Sequence, residues 1–230
     1  MKISGLQKLT LLDFPGKTAA TVFTSGCNFR CPFCHNAGLV TKLDEAQEIA
    51  KDEVLSYLKK RAGVLDGVCV TGGEPLLQAD IADFLSEIKS MGYKVKLDTN
   101  GSFPEKLREL VAAGLCDYVA MDVKNSREKY GETVGLPDFD ISAVSESVDF
   151  LLSGACDYEF RTTVVEELHA VEDIENLAKW IRGAKRYFLQ NFVDSGNLIG
   201  ENLSAPSLEK LESMRKIAEQ HIDIVGIRGV

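Results

Sequence analysis

Short apolar runs alternate with stretches of helical period along this chain, the pattern of repeated βα units around a parallel sheet, and nothing else in it restricts the fold as much. Strands are expected over residues 18–24, 67–71, 94–98, 118–123, 157–164 and 187–191, with a weaker signal over 222–226. Helices are expected over residues 51–61, 79–91, 104–113, 142–152, 174–181 and 207–220. Leu55, Leu58 and Lys59, and likewise Ile81, Phe84, Leu85 and Ile88, recur at the spacing of a one-sided stripe and read as core-facing. About six βα units fit either an open doubly wound sheet or a partial barrel, and both architectures place ligands at the carboxyl ends of strands. No repeat, low-complexity tract or linker interrupts the chain, so a single domain over residues 1–230 is expected. Residues 124–140, with Gly131, Gly135 and Pro137, form the longest interruption and read equally as a lid, a docking element or a plain surface loop.

The apolar content of 45% over 230 residues suffices for one good-sized core. A formal charge of −9 with no basic patch argues against a nucleic-acid surface, since phosphate contacts need clustered Lys and Arg. The opening Met-Lys-Ile-Ser-Gly-Leu-Gln-Lys lacks the apolar run of a signal peptide, and no stretch approaches the roughly 20 apolar residues of a membrane span. A cytoplasmic protein with no membrane partner is the expectation.

Cys27, Cys31 and Cys34 form a C-x3-C-x2-C run that gathers three thiolates and supplies no fourth. A cubane iron–sulfur cluster held in this way keeps one iron open to a substrate or cofactor, which marks the site as catalytic. A zinc site would need His35 as its fourth ligand at an unusual spacing, and a disulfide framework is foreign to a chain able to build its own core. Cys69, Cys116 and Cys156 are scattered singly and read as small buried hydrophobes.

Each expected strand ends in small or polar residues, and a common mouth would collect them. In Gly72-Gly73-Glu74-Pro75 the glycines permit close backbone approach and Glu74 can accept from a ligand ammonium group, although the same residues would serve as a turn and helix start. Asp98-Thr99-Asn100-Gly101 offers oxygen ligands or, equally, a cap for the next helix. Asp122 and Lys124 follow the fourth strand and could form a plain surface ion pair; Arg161, near the end of the fifth, could be a structural arginine paired to an acid.

The cysteine run, with Phe33 before its third cysteine and a Gly-Gly-Glu motif one βα unit later, resembles the signature of the radical S-adenosylmethionine (SAM) superfamily. The resemblance implies a partial (β/α)6 TIM-like barrel of parallel strands, a [4Fe-4S] cluster on Cys27, Cys31 and Cys34, and SAM chelated to the open iron. It implies that Gly72, Gly73 and Glu74 hold the SAM amino group. Together with Cys34-His35-Asn36, the Asp98, Thr99, Asn100, Asp122 and Lys124 residues resemble the activating enzymes of glycyl-radical proteins. There Asp98 and Asp122 would help hold a monovalent cation near the SAM carboxylate, Thr99 would lie in its neighbourhood, Asn100 would belong to the same cofactor-binding motif as its turn residue, Lys124 would contact SAM, and Arg161 would meet a ribose or carboxylate. Gln190-Asn191-Phe192 departs from the pyruvate formate-lyase activators, which carry a histidine at that place. The opening Gly-Leu-Gln-Lys-Leu-Thr-Leu-Leu-Asp-Phe-Pro-Gly-Lys extends the likeness to activating proteins of anaerobic ribonucleoside-triphosphate reductase.

That resemblance implies an oxidoreductase that cleaves SAM and places a glycyl radical on a partner, anaerobic ribonucleotide reductase first, with flavodoxin or ferredoxin as electron donor. Pyruvate formate-lyase is an alternative partner. A small-molecule radical SAM enzyme of the deazaguanine-synthase type and a non-enzymatic cluster protein are the remaining readings. His169 and His221 read as non-catalytic.

Overall fold

The computed structural model describes residues 1–41 and 48–230, which fall into two compact units. The first comprises residues 1–28, 38–99 and 103–120; the second comprises residues 29–37, 100–102 and 121–230.

In the first unit, β1 (Ile3–Thr10) pairs antiparallel with β2 (Ala19–Thr24), and β2, β3 (Gly67–Gly72) and β4 (Lys94–Thr99) follow in parallel. Register is continuous from Ala19 opposite Gly67 to Thr24 opposite Gly72, so β2 and β3 end level with one another. Both strands are apolar on two faces, as strands covered on both sides are. Along the chain α1 (Ala37–Thr41) and α2 (Lys51–Arg61) fall between β2 and β3, α3 (Ile81–Ser90) falls between β3 and β4, and α4 (Pro104–Ala112) follows β4. On α3 the buried residues are Ile81, Phe84, Leu85 and Ile88, the expected stripe; on α2 they are Val54, Leu55 and Leu58, and Lys59 faces solvent instead. Asp117 fastens the start of β4, taking the ammonium groups of Lys89 at 2.6 Å and Lys94 at 2.8 Å and the Val95 N–H at 2.8 Å.

β5 (Tyr118–Asp122) has residues in both units. The second unit continues with α5 (Tyr130–Thr133), α6 (Ser142–Leu152), β6 (Asp157–Val164), α7 (Val171–Trp180), β7 (Tyr187–Asn191), α8 (Leu208–Ala218) and β8 (Val225–Arg228). β6, β7 and β8 are parallel in chain order. Arg228 of β8 forks onto both oxygens of the buried Glu159 at 2.8 and 2.9 Å and lies over the Phe188 ring.

β1, β8 and residues 124–140 differ from expectation, and the short α1 has no counterpart among the expected helices. β1 escapes sequence reading because only its two end residues are buried and its pairing is irregular in two places, which erases any period of two. β8 begins three residues later than expected, its four residues all half-buried and without alternation. Residues 124–140 are no free lid: Asn125, Ser126, Tyr130, Thr133 and Val134 are buried, and α5 forms within them. Among the described residues no helix is long and apolar enough to cross a membrane.

Candidate active site

In the first unit the Gly-Gly-Glu motif is fastened to the end of β2. Gly73 donates its N–H to the Thr24 carbonyl and Glu74 donates to the Gly26 carbonyl, both at 2.8 Å, directly before Cys27. A Cβ on Gly73 would run into the Gly26 carbonyl oxygen, and Gly72 holds a φ of 118°. The glycines are therefore required by backbone packing between two strand ends, a closer constraint than the ligand approach inferred from sequence. Glu74 is fully buried; its Oε1 accepts from the Leu76 N–H at 3.0 Å and from the Thr99 hydroxyl at 2.9 Å. That carboxylate caps the following turn and also joins the second and third strand-end motifs. The turn-and-cap reading and the site reading thus describe the same residues.

One step below Thr99, Asp98 receives the ammonium group of Lys96, and the Cys69 thiol lies 3.6 Å from the same carboxylate oxygen. Cys69 is buried as expected, but among polar groups and not as a hydrophobe; Cys116 is buried and Cys156 only partly so, its thiol pushed up to about 11 mainly by burial.

In the second unit Cys34 donates its N–H to the Cys31 carbonyl at 3.1 Å, which folds Cys31-Pro32-Phe33-Cys34 into a turn. Phe33 is buried with its ring edge toward His169 at 6.4 Å. Burial raises the Cys34 thiol above its ordinary value, while the Asn36 main chain and the Lys124 ammonium pull it down. Asp122 meets Lys124 at 3.0 Å and Arg161 at 2.9 Å, with side-chain exposures of 28%, 15% and 12%, so this is not the solvated pair that would be energetically idle. Burial alone would raise the Asp122 carboxyl; Arg161 and Lys124 outweigh it and hold the group well below the usual carboxylate range. Burial would likewise lower Lys124, but the charges of Asp122 and of the Cys31 thiolate keep it firmly cationic. A cation fixed near two cysteines favours their thiolate forms, the forms that bind iron.

Asn100 is spent locally, its Oδ1 accepting from the Ser102 N–H at 2.9 Å and hydroxyl at 2.6 Å. His35 stacks on Phe192 with ring centroids 5.6 Å apart. Three contributors carry no signal in the sequence taken alone: Lys96, Tyr130 and His169. The His169 Nε2 lies 2.8 Å from the Lys124 carbonyl and must donate to it, which leaves Nδ1 to accept from the Val165 N–H at 3.1 Å. The Tyr130 hydroxyl is buried beside the Lys124 main chain.

Among the described residues no three of His, Cys, Asp or Glu converge as ligands of one metal ion would. A cubane places each thiolate on its own iron, so its ligands need not converge. No disulfide joins the six cysteines, and the donor set of Cys27, Cys31 and Cys34 suits iron and sulfide.

The fold, with its parallel strands and helical crossovers, is that of solved radical SAM enzymes, whose strands form a partial TIM barrel. Streptococcus suis SuiB bound to the precursor peptide SuiA matches 90% of this chain and 48% of its own length, with a TM-score of 0.70 at 15% identity. Residues 21–181 match the radical SAM superfamily, and the chain belongs to it. It is an enzyme of that family, whose cofactors are a [4Fe-4S] cluster and SAM, and SuiB has also been solved bound to S-adenosylmethionine. The residues present fit both groups: three thiols in the required run, a cation beside two of them and a buried carboxylate just past the end of β3. A Methanocaldococcus jannaschii protein, provisionally named a glycyl-radical enzyme activating enzyme, is 33% identical over 99% of this chain and 96% of its own length. The pyruvate formate-lyase-activating enzyme of Listeria monocytogenes is 31% identical over 54% of this chain and 53% of its own length.

Proposed function

We propose that this chain is a glycyl-radical-enzyme activating enzyme and that its partner is anaerobic ribonucleoside-triphosphate reductase. The full-length similarity to the M. jannaschii protein carries the first half of this reading, because it extends through the opening and closing segments as well as the cofactor motifs. The second half rests on the likeness of the opening segment to the activating proteins of that reductase.

In this reading Cys27, Cys31 and Cys34 would hold the cluster, and the buried Phe33 anchors the turn that presents the last two. Glu74 accepts from the SAM ammonium while Gly72 and Gly73 hold the motif against the end of β2. Thr99 orients Glu74 through its hydroxyl, and Asn100 shapes the adjoining turn. Lys124 pairs with the SAM carboxylate side of the site, with Asp122 fixing its position, and Arg161 meets the ribose or carboxylate. When bound, the cluster and SAM would supply a 5′-deoxyadenosyl radical, with methionine as the other fragment of SAM, from one electron delivered by flavodoxin or ferredoxin. The hydrogen abstracted would come from a glycine Cα in the partner, which would keep the glycyl radical, with 5′-deoxyadenosine as product.

The test is anaerobic incubation of cluster-loaded protein with SAM, reductant and the reductase, followed by EPR. A glycyl doublet that requires all components supports the proposal. A doublet on pyruvate formate-lyase but not on the reductase would reassign the partner, and none on either would refute the activating role.

A further inference from the structure

We propose that Lys96 is a built-in cation for Asp98, so that this chain binds SAM without the monovalent cation expected at that carboxylate. The inference rests on the reading of Asp98 as a residue of the SAM site.

The placement follows from strand geometry. Lys96 and Asp98 are two residues apart on β4 and share one face of the strand, while Cys69 on β3 lies in register opposite Lys96. Lys96 is 1% exposed. An ammonium group buried so fully costs far more than an ordinary hydrogen bond returns unless a carboxylate meets it. Asp98 does so through Oδ1, and the Cys69 sulfur takes a second ammonium hydrogen at 3.8 Å. The lysine head is a compact point charge with three donors, the closest that a side chain comes to a potassium or sodium ion against a carboxylate. A free cation entering here would have to displace the ammonium from Oδ1 or sit beside a like charge in a poorly solvated interior. The second expected cation ligand is committed in the same manner, since Asp122 already carries Lys124 and Arg161. Neither carboxylate therefore fits an exchangeable monovalent ion, because lysine and arginine side chains already balance the charge of each.

The experiment compares wild type, Lys96→Met and Lys96→Arg in potassium, sodium and tetramethylammonium chloride at constant ionic strength. SAM affinity of the cluster-loaded protein is measured by anaerobic equilibrium dialysis, and sodium binding to the apoprotein by 23Na line broadening. Wild type should bind SAM within about twofold in all three salts and broaden no sodium signal. Lys96→Met should lose SAM affinity roughly tenfold in tetramethylammonium, regain it in potassium or sodium, and broaden the sodium line. Lys96→Arg keeps the charge and should remain indifferent to salt. Wild-type affinity that rises several-fold with potassium or sodium overturns the proposal, as does wild-type sodium broadening or a Lys96→Met protein that behaves like wild type. Should Lys96→Met fail to fold, the wild-type and Lys96→Arg results decide alone. Absence of SAM binding in every salt would instead refute the SAM reading of the site, and the sodium signal of the apoprotein would still decide the role of Lys96.

Discussion

Glu74 holds a turn together and faces the neighbouring strand-end motif through one carboxylate, so removing its side chain would confound two effects. Glu74→Gln separates them, because the amide oxygen can still accept from Leu76 and Thr99 while the charge that an ammonium ligand needs is gone. Apoprotein stability should fall by no more than about 1 kcal/mol, while SAM affinity drops by about 1.5–3 kcal/mol, the worth of a charged hydrogen bond. Thermal unfolding and anaerobic dialysis check the two halves, and unchanged affinity would remove Glu74 from the SAM site. His169 gives a pH signature. Burial lowers its imidazole below 6.5 against the opposing pull of the Lys124 and Val165 main chain, so the native ring is neutral. The unfolded chain takes up a proton near 6.5 before the native state does, and stability is therefore lost as pH falls below that value. His169 should contribute at most about 1.4 kcal/mol per pH unit to that loss, and His169→Gln should reduce the slope in urea titrations. Glu74 was legible because its residue type and its spacing from the cysteine run carry the signal. Lys96 and His169 were not, since what they do depends on a cross-strand neighbour and on a carbonyl 45 residues away.

At the scale of elements, residues 124–136 buttress the cysteine turn. Arg30 donates its N–H to the Val134 carbonyl at 2.9 Å, and Phe29 sets its ring edge against Tyr130 and Phe139. Gly135 closes the approach with a φ of 73°, and a Cβ there would lie 2.9 Å from the Arg30 carbonyl carbon. Gly135→Ala should cost about 1–3 kcal/mol in the apoprotein through backbone strain and contact, and iron retention after reconstitution should fall with it. Full iron retention and unaltered unfolding would show that the segment does not support the turn. Of the elements, β6, β7, α2 and α6 fall where the sequence places them, since long apolar periods mark both ends. The sequence reads the buttress as lid or loop because three of its five buried residues, Asn125, Ser126 and Thr133, are polar and pair with one another or with main chain, and Tyr130 and Val134 alone make no apolar period.

For the molecule as a whole, the fold and the cofactor motifs establish the superfamily but leave the hydrogen donor open, because radical SAM folds serve many substrates. The activating role is the central claim, and it concerns where one hydrogen atom comes from. A protein substrate delivers that hydrogen from a glycine Cα; a small-molecule substrate delivers it from a metabolite. The most direct measurement therefore uses anaerobic reductase labelled with deuterium at glycine Cα, incubated with this enzyme, SAM and reductant, with mass analysis of the 5′-deoxyadenosine formed. An activating enzyme should leave one deuterium in the nucleoside, in proportion to the glycyl radical seen by EPR. Unlabelled 5′-deoxyadenosine from labelled reductase, with label acquired only from a deuterated metabolite, would contradict that role.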